Sequence, residues 1–320
     1  MTYIIAEVGM AHLNDPVRAK RLVSACIEAG VDAVKSQYYR TDNVVSQDAD
    51  PDWYARLKEK EPLVSILNQM YIQCKYANLD FSCSAHSLAD FRQLVQYFPL
   101  SFVKMGSGEA GNIPYYREAA WYARDKEVPL YWSNGCMTAH QINDTAIMLD
   151  NSVNCINLEL ECVTEYPSKI GDVNWHVIKQ DNLGYSDHCA GHSASVLAAG
   201  LGAPVIEKHI TCASDVNMPG TQDQHGSVNE YTIGAFVDEV RAAYDGAHLE
   251  MDGNKRVAEW AVKSLCASCN IPKDSVLSEA LLIPLRPGGG IPYQDIGSVI
   301  GKKICRDIKK GEQIKKDDIE

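Results

Sequence analysis

Nowhere in the 320 residues does an apolar run reach the roughly 18 residues of a transmembrane helix, so no membrane span is expected. The N-terminus, MTYIIAEVGMAHLND, lacks the basic flank, long apolar core and small-residue cleavage site of a signal peptide. Basic residues are in the minority, 30 Lys and Arg against 42 Asp and Glu. The resulting formal charge of -12 argues against non-specific nucleic-acid binding. It leaves room for an anionic substrate, because a local cluster of Lys, Arg and backbone N–H groups can outweigh a diffuse negative field. A disulfide framework is also missing. The 11 cysteines are odd in number and scattered through apparent strands and helices, which suits a reducing, cytoplasmic setting. Cys266 and Cys269 form a lone CxxC with no second pair or histidine partner, and read as a chance pair rather than a zinc site. No GxGxxG follows the first strand, and the PGGG at 287–290 has no Lys-Ser/Thr helix behind it, so it reads as a turn.

What is present is the composition of a globular protein, 46% hydrophobic and 22% charged. Its length suffices for one large domain and one small one. Short apolar runs alternate with helical patterns. A strand at Tyr3–Gly9 leads to a helix at Asp15–Gly30, opened by Pro16 and closed by Gly30, and then to a strand at Asp32–Gln37. A polar loop rich in Asp and Asn precedes a helix through Leu63–Ala77. Next come LDFSCS, a helix near Leu88–Tyr97, SFVKMGS, a helix after Pro114, PLYWSN and a helix over Thr138–Leu149. VNCINLEL, a helix near Val173–Lys179, LGYSDH, a helix over Ala194–Gly200, PVIEKHIT and a helix over Glu230–Tyr244 complete the series. Eight strand–helix units in about 245 residues imply a parallel sheet closed as a (β/α)8 barrel, with an open doubly wound sheet as the alternative. The expected domains are a barrel over 1–250, a linker over 251–262 and a small β-rich domain over 263–320, where short strand-like pieces mix with turn residues and a basic tail.

In a barrel, chemistry collects at the C-terminal ends of the strands. Here those ends carry Glu7, Lys35, Gln37, Ser84, Lys104, Ser107, Glu109, Ser133, Asn134, Thr164, Tyr166, Ser186, Asp187, His188, Glu207, Lys208 and His209. Singly each has a structural explanation: Glu109 as a partner to a helix N-cap, Asp187 as a cap on the following helix. Their convergence on one rim points to a site. His188 and His209 end neighbouring strands, about 4.8 Å apart in a sheet, and can reach one cation. Lys35 and Lys104 add fixed positive charge and the serines add neutral donors. The set suits a small phosphorylated, carboxylated substrate.

The segments IIAEVGMAH, AVKSQ, VKMGSGE, WSNG, TEYP, GYSDH, VIEKHIT and PGTQDQHGS, in this order and spacing, resemble the sialic acid synthase family. The final segment, from ASCNIPKDSVLSEALLIPLRPGGGI onward, is similar to that family's antifreeze-like (SAF) domain. The resemblance covers nearly the whole chain and implies condensation of phosphoenolpyruvate with an N-acetylated amino sugar. The phosphoenolpyruvate loses phosphate by C–O cleavage. It implies a divalent ion on His188 and His209, manganese first, with magnesium or cobalt as alternatives. Lys35, Ser84, Lys104, Ser107, Ser133, Thr164 and Ser186 would hold phosphoenolpyruvate. Glu7, Asp223 and His209 would be catalytic, Gln37 and Tyr166 would face the sugar, and Glu109 is grouped with the substrate contacts. Arg286 would enter a partner subunit's site, which implies a domain-swapped homodimer.

This chain departs from the family pattern in several places. AHLND replaces NHNG, with Ala11 for an Asn; AVKSQ replaces AVKFQ; and the STPF-like segment is CSAH, which brings in Cys83 and His86. NGC replaces TGM, and Thr164 stands where Asn or Ser is usual. The phosphoenolpyruvate and metal positions match more fully than the sugar positions. The acceptor therefore stays open between N-acetylmannosamine and a di-acetamido sugar leading to legionaminic or pseudaminic acid. Outside the synthases the rivals are a metal-dependent hydrolase or isomerase barrel and a non-catalytic sugar-acid binding protein.

Overall fold

The apolar N-terminal run forms strand β1 (Tyr3–Gly9), and Asp15 then opens helix α1 (Pro16–Ala29) by accepting hydrogen bonds from Val17 N (2.8 Å) and Arg18 N (3.3 Å). Pro16 takes the first helical position, where no N–H is needed. Gly30, at φ 72°, ends the helix by donating to Cys26 O and Ile27 O. The pattern continues with β2 (Ala33–Tyr38), α2 (Pro51–Lys60), α3 (Val64–Tyr76), β3 (Asp80–Ala85), α4 (Leu88–Tyr97), β4 (Val103–Met105) and α5 (Ile113–Lys126). Next are β5 (Leu130–Ser133), α6 (Ala139–Asp150), β6 (Asn157–Cys162), α7 (Trp175–Asp181) and β7 (Gly184–Asp187). The unit ends with α8 (Ser193–Gly200), β8 (Val205–Thr211), the short β9 (Val228–Asn229) and α9 (Ile233–His248). The computed structural model describes residues 1–150, 157–215, 222–248 and 260–320. The first four residues of the expected VNCINLEL strand, 153–156, lie outside these, as does most of the expected linker.

The strands run parallel in the order β3-β2-β1-β8-β7-β6-β5-β4, with β9 paired to β8. The ring closes between β3 and β4 through Ser101 N donating to Phe81 O (3.0 Å) and the Ser82 hydroxyl donating to Phe102 O. This is the expected barrel. Because strand side chains alternate, each strand feeds two cores. Outward residues such as Ile4, Val34, Phe81, Val103, Trp132 and Ile206 pack under the helices. Inward residues Ile5, Ala33, Phe102, Tyr131, Leu160 and Val205 fill the bore at its N-terminal end.

One element differs from expectation. The loop rich in Asp and Asn contains α2, capped by Asp50 at Trp53 N (2.9 Å) and begun by Pro51. It buries no residue, so it carries no apolar stripe for periodicity to detect.

The chain divides into two compact units, Met1–His248 and Leu249–Glu320. The second is a small β-rich unit. It has an antiparallel pair, β10 (Ser264–Ala267) and β11 (Leu282–Leu285), several isolated bridges, and a core that includes Leu265, Ile271, Leu277, Ile304, Ile308 and Ile314.

Candidate active site

Two residues beyond each apolar plug residue, on the same side of the same strand, the bore changes character. Ile5 gives way to Glu7, Ala33 to Lys35, Phe102 to Lys104, Tyr131 to Ser133, Leu160 to Cys162 and Val205 to Glu207, all of them buried. Lys35 Nζ lies 2.7 Å from Glu7 Oε2 and 3.3 Å from Glu207 Oε1, and donates to Ser84 Oγ at 3.0 Å. Lys104 Nζ donates to Ser133 Oγ (2.7 Å) and Met105 O (3.0 Å) and lies 3.4 Å from Glu207 Oε2. Ser186 donates to that same Glu207 oxygen at 2.8 Å.

Burial alone would raise the Glu207 carboxyl. The charges of Lys104 and Lys35, with the Ser186 hydroxyl, outweigh it and hold the group below its ordinary range. Burial would lower Lys35, and Glu207 and Glu7 reverse that, so its ammonium is raised. The Lys35 ammonium and the Glu207 carboxylate thus stay ionised in the buried bore. Burial of this kind is costly even when the charges are paired.

Beside this layer the loops after β4, β5 and β6 meet at Gly135. A Cβ there would lie 2.7 Å from Cys162 O, 2.8 Å from Thr164 Cγ2 and 2.9 Å from Ser107 Oγ, so only glycine fits. Among the described residues the buried Ser107 Oγ has only the Cys162 thiol as a weak neighbour, which leaves its hydroxyl able to donate to a ligand. Glu109, expected with the substrate contacts, accepts from Asn112 Nδ2 at 2.8 Å, just before α5.

Above the charged layer sit His188 and His209, ring centroids 5.6 Å apart. His188 Nδ1 lies 2.6 Å from Val163 O, which assigns the proton to Nδ1 and leaves a lone pair on Nε2. The Tyr166 hydroxyl donates to that Nε2 (2.8 Å), and its ring lies over the imidazole at 4.0 Å. Burial first, then His209, lower His188 to about 4, so it is neutral near pH 7. A neutral imidazole with its second nitrogen anchored to a carbonyl is the state a metal ligand requires, and the pair would hold a divalent ion once the Tyr166 hydroxyl gave up Nε2. Among the described residues no group of three or more His, Cys, Asp or Glu is arranged for a metal. On the outer face of β7 and β8, Lys208 Nζ donates to Asp187 Oδ2 (2.9 Å) and Ser195 Oγ donates to the same oxygen (2.6 Å), which fixes the strand end that carries His188.

Glu7 accepts from Gln37 Nε2 at 3.1 Å. Asp223 arrives on the turn Gln222–Gly226. This turn packs against the His188 backbone so closely that a Cβ on Gly226 would lie 2.5 Å from His188 O. Asp223, Gln37 and His209 line a cavity of about 510 Å³ that continues past Tyr39 and His86 to Trp53, Arg56 and Leu57 of α2. Arg286 lies in the second unit, with its guanidinium 6.0 Å from the Trp260 ring centroid.

The structure therefore gathers Glu7, Lys35, Gln37, Ser84, Lys104, Ser133, Tyr166, Ser186, His188, His209 and Asp223 at one end of the barrel, with Ser107 and Thr164 at the Gly135 junction. Glu207, which sequence reasoning placed at a strand end without a role, is the carboxylate that joins the two lysines. Its sequence signal was the alternation in VIEKHIT, which turns Glu207 and His209 to the same side.

Related proteins match nearly the whole chain. A model described as the NeuB family matches residues 22–248, and one described as the SAF domain matches 262–320. The N,N'-diacetyllegionaminic acid synthase of Legionella pneumophila is 29% identical over 97% of this chain and 92% of its own. The human N-acetylneuraminate-9-phosphate synthase is 26% identical over 98% of this chain and 91% of its own. The crystal structure of an N-acetylneuraminic acid synthetase from Leptospira borgpetersenii, at 22% identity, superposes with a TM-score of 0.69 over 80% of this chain and 89% of that one, which supports the fold.

Proposed function

The chain belongs to the NeuB family, and on that premise we propose that it condenses phosphoenolpyruvate with an N-acetylated amino sugar to give a nonulosonic acid and inorganic phosphate. The observation that carries this reading is the Lys35–Glu207–Lys104 layer, placed beneath two imidazoles and beside the buried Ser107 hydroxyl. Two buried ammoniums and a row of hydroxyls match the carboxylate and phosphate of phosphoenolpyruvate. Ser84, Ser133 and Ser186 already engage Lys35, Lys104 and Glu207, so they orient those charges while they donate to the substrate.

His188 and His209 would hold a divalent ion, manganese by family resemblance, which when bound supplies Lewis-acid polarisation of the sugar's aldehyde oxygen. In the condensation, C3 of phosphoenolpyruvate bonds to the aldehyde carbon while C2 becomes electron-poor. Water adds at C2 and gives its proton to Glu7, which Lys35 and Gln37 hold in place. The tetrahedral carbon expels phosphate by C–O cleavage, Lys35 and Lys104 take up the developing charge, and the remaining C2 hydroxyl loses its proton to become the ketone. Asp223, on the cavity wall, supplies the proton that turns the aldehyde oxygen into a hydroxyl.

The acceptor is N-acetylmannosamine or a related sugar. The Legionella relative's name favours a di-acetamido sugar as the alternative, and Val8, Met10, Ala11, Leu13 and Val44 give the cavity an apolar side suited to acetyl methyls. By resemblance, Arg286 completes the site of a partner subunit in a domain-swapped homodimer. A cytoplasmic setting belongs to this reading and is supported by the free cysteines among the described residues; no helix among those residues is long and apolar enough to cross a membrane.

The test is phosphate release from phosphoenolpyruvate with Mn²⁺ and a panel of N-acetylmannosamine, its 6-phosphate and 2,4-diacetamido-2,4,6-trideoxymannose. Release that depends on one of these sugars supports the reading and names the acceptor. No release with any of them favours a binding protein.

A further inference from the structure

We propose that His86 is a specificity-determining residue whose imidazole binds an uncharged polar substituent of the acceptor sugar, an amide or a hydroxyl. The inference rests on the acceptor reading above and adds a residue to it. His86 is the first residue past β3, and its backbone N–H donates to Tyr38 O at 3.3 Å, so its position is pinned to the β2 edge. Its side chain lines the same cavity as Gln37, His209 and Asp223.

The ring is oriented by packing rather than by its own nitrogens. It meets Tyr39 edge-on, centroids 5.9 Å apart at 69°, and the Tyr39 hydroxyl is itself tied to Leu57 O at 3.2 Å. Among the described residues no hydrogen bond reaches either ring nitrogen of His86. His188, by contrast, uses both of its nitrogens, and His12 Nδ1 accepts from Asn14 N. A ring held in plane by an aromatic neighbour, with both nitrogens unspent beside a cavity, is arranged for a ligand rather than for the fold.

Burial, then the charges of Lys35 and Lys104, lower the ring to about 4, so near pH 7 it offers one donor and one acceptor and no charge. Such a group pairs with an amide or hydroxyl. It brings no cation to a phosphate, and protonating it to do so would work against both lysines.

The experiment compares wild type, His86→Phe and His86→Gln in phosphate release with phosphoenolpyruvate, Mn²⁺ and whichever panel sugar gives the fastest turnover. Phe keeps the ring packing against Tyr39 and removes both nitrogens; Gln restores a donor and an acceptor. The expected result is a KM for the sugar raised about tenfold in His86→Phe, partly recovered in His86→Gln, with the KM for phosphoenolpyruvate unchanged. A wild-type KM for the sugar in His86→Phe overturns the inference and leaves the proposed reaction standing. If wild type turns over no sugar, the reaction itself fails and this inference with it. Should His86→Phe not fold, ¹⁵N-histidine NMR of the Mg²⁺-loaded wild type decides. The His86 nitrogens shift when the sugar is added if the inference holds, and unmoved resonances overturn it.

Discussion

Two layers of the barrel bore sit on the same strands, one pleat apart, and have opposite physics. The lower layer, Ile5, Ala33, Phe102, Tyr131, Leu160 and Val205, is an apolar plug that gains from leaving water. The upper layer, Glu7, Lys35, Lys104, Ser133, Cys162 and Glu207, buries two lysines and two glutamates in close pairs where apolar side chains of similar size would cost less. Moving two residues along a strand, about 6–7 Å, therefore passes from what holds the barrel shut to what gives it a ligand. A fold confines such charges to one layer when their partner is the substrate, and it seals that layer from below with side chains that take no part in the chemistry.

The contrast breaks most visibly if an upper-layer substitution unfolds the protein or leaves its activity intact. Lys104→Met is expected to cut sugar-dependent phosphate release on the order of a thousandfold or more. The barrel should stay folded, since Glu207 keeps Lys35 as a partner. Stopped assays and near-ultraviolet circular dichroism check both halves. Phe102→Ala, one pleat below, should do the reverse. It loses roughly 3–5 kcal/mol of stability through the cavity left behind, read by denaturant unfolding, while the folded protein keeps its KM for phosphoenolpyruvate.

Acid sharpens the comparison further. In the upper layer Glu207 is held low and Lys35 high, so neither of these two titrates between pH 4 and 7. His12 is fully buried and sits at about 4 against an ordinary 6.5, from burial and then Arg18. As pH falls through that window the unfolded chain takes up a proton before the folded one, so stability is lost there, by about 2–3 kcal/mol. Unfolding midpoints followed by tryptophan fluorescence at pH 7 and pH 4.5 check this, with His12→Gln expected to remove that share of the dependence while His86 and His188, also lowered to about 4, keep theirs. The smallest effect is Ser133→Ala. It leaves Lys104 charged but less well oriented, and should raise the KM for phosphoenolpyruvate about fivefold to tenfold.

Much of this was legible in the sequence because local chemistry decides it. Asp15, Pro16 and Gly30 punctuate α1 through their own backbone geometry, and the eightfold alternation leaves few alternatives to a barrel. The strand ends named Lys35, Lys104, His188 and His209 because polar residues in otherwise apolar strands are conspicuous. What was not legible depends on non-local pairing. Glu207 becomes central only when β8 stands between β1 and β7, which brings both lysines to one carboxylate. The α2 helix has cap signals but no buried face, so periodicity passed over it and over Trp53 on the cavity wall. Glu109 lies on the turn Ser107–Glu109 after β4, where its carboxylate accepts from Asn112, a pairing that strand alternation does not reveal.

The central claim is that the upper layer holds phosphoenolpyruvate for attack at carbon and loss of intact phosphate. It is tested most directly by ³¹P NMR on phosphate released from phosphoenolpyruvate labelled with ¹⁸O in the C–O–P bridge, with Mn²⁺ and the acceptor sugar present. The account predicts that the bridging label leaves with the phosphate, and that no phosphate appears without the sugar. Unlabelled phosphate, with the ¹⁸O left on the carbon skeleton, would mean P–O cleavage and would contradict it.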